Sequence, residues 1–179
     1  SHPLAWPMVH IKAVNQLHNA SDAVLNLASR LGETDWWGKA PYWALPDQQK
    51  MIQVDLDEAA LGRNRPVDVA VQADVKIFVR QLIDELKGSN QPLADRKKAV
   101  DKLARGRDRD RASLDAKLND RAQPMLSAHV PAACRQVFPD DTILVLDGGN
   151  TQVWGHFYAR IRVPNTLLTT QHMGHLGAG

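Results

Sequence analysis

The chain has 179 residues, 44% hydrophobic and 23% charged, an ordinary globular composition that excludes disorder along its whole length and provides for one or two cores. Its formal charge of +2 is uneven: between Asp95 and Arg121 stand ten Lys or Arg and six Asp, so that stretch is +4 and the remainder slightly acidic. No aromatic residue interleaves with these charges, so the stretch reads as a solvated connector and no nucleic-acid partner is expected.

The single cysteine, Cys134, excludes an internal disulfide framework, and its apolar surroundings favour a buried helical thiol over a nucleophile. No apolar run approaches the roughly 20 residues of a membrane span, and no signal peptide opens the chain, so a cytoplasmic protein without membrane contact is expected. Both ends read as cut: the chain starts at Ser1 and stops at Gly179 inside a glycine-rich loop.

Residues 10–19 predict a short helix, and the compact apolar run 22–28 predicts a buried strand. The next stretch, 32–43, carries Trp36, Trp37 and Trp43 among Gly and Pro and reads as a loop, its tryptophans packing on their own domain or forming a ligand wall. A second strand is expected at 51–55, with Ile52 and Val54 facing a core, and a third at 67–73. Asp74 then stands at an N-cap position before a helix whose Val75, Phe78, Val79, Leu82, Ile83 and Leu86 share one apolar face. Strands alternating with helices predict an α/β fold, a parallel sheet covered by helices.

Gly88 to Pro92 breaks the pattern, and the charged stretch that follows has only Val100, Leu103, Leu114 and Leu118 as a sparse apolar set, a linker with some helix. A new unit starts near Pro124: a helix over 125–137, a strand over 142–146, a helix through Val153, Trp154, Phe157 and Tyr158, and a strand over 166–170. The expected domains are 1–88, a linker at 89–123, and 124–179.

The most informative arrangement is strand, then Asp147, Gly148, Gly149, Asn150 and Thr151, then helix. Ligands in open α/β sheets bind beyond the carboxyl ends of strands, and the free amides of a helix N-terminus hold anions such as phosphate. On residue type alone a second reading stays open, a tight turn in which Asp147 or Asn150 caps the helix. The glycines of 174–179 run G-x-x-G-x-G, which is neither the order nor the context of a dinucleotide fingerprint, although they allow close backbone approach to a ligand. His172 and His175 lack a third ligand nearby, His2, His10 and His18 lack placed carboxylate partners, and no hydrolase elbow, Walker-type loop or spaced cysteine set is present.

Two groups of residues, in this order, carry a resemblance. Ser29, Arg30 and Leu31 after a buried strand, then Ile52 to Asp57, Leu61 to Asn64 and Pro66 to Asp68, resemble the central domain of thiamine-diphosphate enzymes such as acetolactate synthase. Leu146 to Trp154 and Thr170 to Gly177 resemble the opening of the diphosphate-binding domain of the same enzymes. The resemblance implies a central parallel-sheet domain of the kind that binds NAD or FAD elsewhere, followed by the start of an α/β thiamine-diphosphate domain. It places diphosphate contacts on Gly149, Asn150 and Thr151, and aminopyrimidine contacts on the Gly174 carbonyl and the Leu176 amide, with the Leu176 side chain holding the cofactor bent.

The resemblance further implies thiamine diphosphate and Mg2+ as cofactors, a 2-keto acid as substrate, decarboxylation or carboligation as reaction, and a homo-oligomer, dimer or tetramer, of the complete protein. It puts no catalytic residue and no metal ligand in this chain: the activating glutamate belongs to a preceding domain and the magnesium segment lies beyond Gly179. The isolated chain is therefore expected to be inactive. Some members hold FAD in the central domain, but no contacts for it are identifiable around 34–38. Asn150 and Thr151 stand where acetolactate synthases commonly carry Gln and His, so the resemblance reaches the family's chemistry and not one activity within it. The alternative is a non-catalytic nucleotide-binding or structural α/β module whose glycine loops merely turn.

Overall fold

A computed structural model describes residues 5–6, 10–89, 97–169 and 177. The chain forms two compact units, one of residues 11–103 and the other of 1–10 with 104–179.

In the first unit, α1 (Ile11–Ala20) leads into a three-stranded parallel sheet of β1 (Ala23–Leu27), β2 (Lys50–Asp55) and β3 (Val69–Gln72), in that spatial order. The central strand is covered on both faces, as parallel strands require. Val54 is fully buried and Ile52 partly so on one face, while Met51 and Gln53 are buried on the other. The face expected from Ile52 and Val54 is thus only half of the strand's burial. Gln53 meets its cost of burial with three hydrogen bonds, donating to the Ser29 and Ala60 carbonyls and accepting from the Gly62 amide.

Leu31, Trp43 and Met51 form the core, with Val24, Tyr42 and Val67 packed against it. Of the two readings of the tryptophan loop, packing fits Trp43, which is buried and donates its indole N–H to the Asp35 carbonyl at 2.8 Å. Trp36 stacks on Tyr42 at 4.4 Å, and Trp37 remains exposed. The segment is the irregular loop that its composition suggests, with short 3-10 turns within Glu33–Gly38 interrupted by left-handed backbone at Trp36 (φ +49°) and Trp37 (φ +53°). It closes at Gly38, whose φ of +64° suits glycine, and a Cβ there would meet Arg65 Cδ and Leu31 Cδ1 at 3.0 Å.

His18 stacks on Trp43 with ring centroids 3.8 Å apart. Burial holds its pKa below the ordinary histidine value, against a smaller opposing pull from Asp35. Between that lowered pKa and the unfolded value of about 6.5, the unfolded chain binds the extra proton, so stability is full above the unfolded value and falls with pH below it. Denaturant titrations at pH 7 and pH 5.5 should show this loss in the unaltered protein and a smaller one in His18→Phe, which keeps an aromatic ring on Trp43. An equal loss in both would remove His18 from the account.

The helix α2 (Val75–Gly88) starts as the sequence predicts: Asp74 is its N-cap and accepts from the Ile77 amide. Its apolar face is covered less than the pattern implies. No residue of α2 is buried: Val75, Phe78, Val79 and Leu82 are half-buried, Ile83 and Leu86 on the same face are exposed, and the exposed Ile77 lies on the opposite face.

The charged stretch forms a 20-residue helix, α3 (Lys97–Ala116). Within the second unit its later residues are anchored. Arg111 donates to the Phe157 carbonyl and to Asp115, and its guanidinium lies 5.3 Å from the Tyr158 ring centroid. The Tyr158 hydroxyl donates to the Leu114 carbonyl at 2.8 Å. The hydrogen bond from Arg111 holds the Asp115 carboxyl below its usual pKa.

The helix expected over 125–137 is shorter, α4 (His129–Val137). Pro131 explains the difference. In a helix begun at Met125 its ring would oppose the Ser127 carbonyl from an interior position, whereas in the first turn its missing N–H costs nothing. The remainder is a βαβ unit: β4 (Leu144–Leu146), α5 (Gly149–Tyr158) and β5 (Leu167–Thr169), the strands parallel with Leu146 opposite Thr169. The parallel α/β class expected from the sequence is the class observed. Among the described residues no helix is long and apolar enough to cross a membrane.

Candidate cofactor-binding site

At the carboxyl end of β4 the chain turns through Asp147 and Gly148 into α5. Gly148 is the N-cap, in extended backbone, and no side chain caps the helix. Asn150 stands within α5, past its N-cap, and Asp147 accepts from the amide of the N-cap itself. Gly149 has a φ of +68°, a left-handed conformation that costs other residues about 1–2 kcal/mol. Gly149, Asn150 and Thr151 are all exposed, whereas Gly148 is buried. Among the described residues the first turn of α5 thus presents amides without a side-chain cap, the positive end of a helix dipole and two exposed polar residues, the arrangement that binds anions.

Three further residues fix this turn: Asp147, which the sequence pattern places in it only as a candidate cap, and Gln152 and Gly155, which that pattern does not single out. Asp147 accepts from the Gly148 amide with Oδ1 and from the Gly177 amide with Oδ2, both at 2.8 Å. Gln152, buried on α5, donates to the Thr169 hydroxyl at 2.5 Å and ties the helix to the end of β5. Gly155 lets α5 lie close on β4, since a Cβ there would meet Leu146 Cδ2 at 2.6 Å. A polar side chain one turn into an otherwise apolar inward face was the available signal for Gln152.

Gly174 and Leu176, the expected pyrimidine contacts, lie outside the described residues, as do His172 and His175. Among the described residues no group of three or more His, Cys, Asp or Glu is placed to hold a metal.

Residues 1–82 match the family model described as the central domain of thiamine pyrophosphate enzymes. That match covers the first 82 of the chain's 179 residues. Similarity to proteins named as acetolactate synthases runs through the whole chain. The large subunit of acetolactate synthase isozyme 1 from Escherichia coli (strain K12) is 26% identical over 182 residues, covering 100% of this chain and 30% of that protein. A probable acetolactate synthase large subunit from Methanococcus aeolicus is 22% identical over 191 residues, covering 100% of this chain and 31% of its own length. A sulfoacetaldehyde acetyltransferase from Rhodobacter capsulatus is 28% identical over 205 residues, with 100% and 33% covered. The chain spans about a third of the length of these curated relatives. The thiamine pyrophosphate family model ends within α2, so the turn after β4 lies beyond it, in the part matched by the longer relatives.

Proposed function

We propose that this chain is part of a thiamine-diphosphate-dependent enzyme that acts on 2-keto acids by decarboxylation, by carboligation, or by both. The observation that carries the reading is the uncapped, exposed turn at Gly149 at the end of a parallel strand, in a chain whose first 82 residues match the family's central domain. In this reading residues 1–88 are the central domain, 89–123 the linker, and 124–179 the start of the diphosphate-binding domain.

The residues present fit the cofactor's diphosphate. Gly149 would allow close backbone approach, the amides of the first α5 turn would donate to the diphosphate oxygens, and Asn150 and Thr151 would add side-chain donors. By the resemblance alone, Gly174 and Leu176, which lie outside the described residues, would hold the aminopyrimidine. When bound, thiamine diphosphate supplies a thiazolium carbon nucleophile and an electron sink for loss of carbon dioxide from a 2-keto acid. The chain's own contribution is to bind and orient. The residue that activates the pyrimidine and the Mg2+ ligands belong to other parts of the protein, so the isolated chain is inactive. The complete protein works as a dimer or tetramer in the cytoplasm, and FAD is not assigned to it.

The test is product analysis of the complete protein with pyruvate, thiamine diphosphate and Mg2+. Release of carbon dioxide with acetaldehyde or acetolactate, dependent on thiamine diphosphate, is the expected result. No turnover of pyruvate or of longer 2-keto acids would overturn the reading.

A further inference from the structure

Arg65 is only 3% exposed and lies in the loop between β2 and β3, beyond the carboxyl end of β2, the edge at which open parallel sheets bind ligands. Two residues of the loop after β1 pack on it. The Gly38 carbonyl accepts from Nη1, and the Trp43 ring centroid lies 5.9 Å from the guanidinium carbon. Asn64 donates to the Arg30 and Leu31 carbonyls at 2.8 and 2.9 Å, which ties the two loops together beside the guanidinium.

The other edge of the guanidinium has no acceptor. Nε and Nη2 are both buried, and neither has a hydrogen-bond partner among the described residues. Asp68 acts on Arg65 through its charge alone, since its oxygens accept from the Lys50 ammonium and the Met51 amide. A buried cation without a hydrogen-bonded counterion is strongly unfavourable, and arginine cannot escape by losing its proton. Packing against Trp43 does not require that cost, because an apolar side chain of similar length would fill the same space. Two neighbouring N–H groups on one guanidinium edge are what the paired oxygens of a carboxylate or phosphate accept from.

We propose that Arg65 anchors an anion site in the first unit, which takes a carboxylate or phosphate group on its Nε and Nη2 edge. Its residues all belong to the first unit, so the site stands apart from the thiamine-diphosphate reading of the turn after β4. Gly38 and Trp43 lie against the guanidinium, so an anion enters by displacing loop 32–43 and steadies that loop once bound.

The experiment follows amide hydrogen exchange of residues 32–43 in the complete protein during titration with inorganic phosphate and, separately, with acetate. Chloride at equal ionic strength is the reference. Exchange should slow as the anion binds, and half-saturation gives its dissociation constant. Arg65→Met should weaken that binding at least about tenfold, the size expected for loss of paired charge-assisted hydrogen bonds. Arg65→Gln, which can still donate to the Gly38 carbonyl, should show the same loss and serves the comparison if Arg65→Met does not fold. Protection by phosphate alone identifies a phosphate group as the ligand, by acetate alone a carboxylate, and by both any anion with two such oxygens. No protection of this loop by either anion, equal protection in the variants, or failure of both variants to fold would overturn the site.

Discussion

Met51→Ala should destabilise the first unit by about 2–5 kcal/mol, the range for truncating a fully buried Met, Leu or Ile side chain. Met51 has no exposed surface and sits in the core with Leu31 and Trp43, on the central strand of the sheet. Collapse of the cavity is hindered on both sides. The strand is held in register by β1 and β3, and Trp43 is tethered by its indole bond to the Asp35 carbonyl. The cost should therefore fall in the upper part of the range. A shift in the denaturant midpoint with unchanged slope would report it, and a loss below about 1 kcal/mol would mean that the core repacks freely.

Gly149→Val should weaken thiamine-diphosphate binding on the order of a hundredfold while leaving the fold in place. Two effects act together at this position. The left-handed φ of +68° is strained for any residue with a Cβ and most strained for a β-branched one, so the turn would move toward ordinary helical or extended backbone. The added methyls would also occupy the space through which an anion approaches the exposed amides. Gly149 is exposed, so the loss should appear in affinity far more than in melting temperature. Titration calorimetry of the complete protein with the cofactor and Mg2+ checks this. Binding within threefold of the unaltered protein would mean that the turn does not approach the diphosphate.

The parts of this architecture written in local pattern were legible in the sequence. Asp74 announces its helix because an N-cap needs only a short polar side chain three residues before the amide it accepts from, and the apolar runs around 22–28 and 51–55 are compact and too short for helices. The Asp147, Gly148, Gly149 turn could also be placed between a strand and a helix. Its chemistry could not be settled there, because a capping carboxylate and a clamping carboxylate have the same sequence. The difference is the Gly177 amide, thirty residues away and brought close only by the parallel pairing of β4 with β5. Gln152 and Thr169 escaped notice for the same reason.

Other departures have equally specific causes. Pro131 moved the start of α4, although its effect on a helix begun six residues earlier follows from elementary geometry. The charged stretch lacks the apolar stripe that marks a packed helix, yet within the second unit Arg111 and Leu114 hold it through main-chain carbonyls and the Tyr158 ring. Polar anchoring of this kind leaves no periodic hydrophobic signal. The face of α2 shows the opposite case, a clear amphipathic pattern whose Ile83 and Leu86 are nonetheless exposed.

The most direct test of the site is amide hydrogen exchange of the complete protein with and without thiamine diphosphate and Mg2+. The first-turn amides of α5 have no intrahelical acceptor and should exchange rapidly in the free protein. Slowing at Gly149, Asn150 and Thr151 on cofactor binding, on the order of tenfold or more, is the predicted result. Cofactor binding that leaves these three amides unprotected would contradict the assignment.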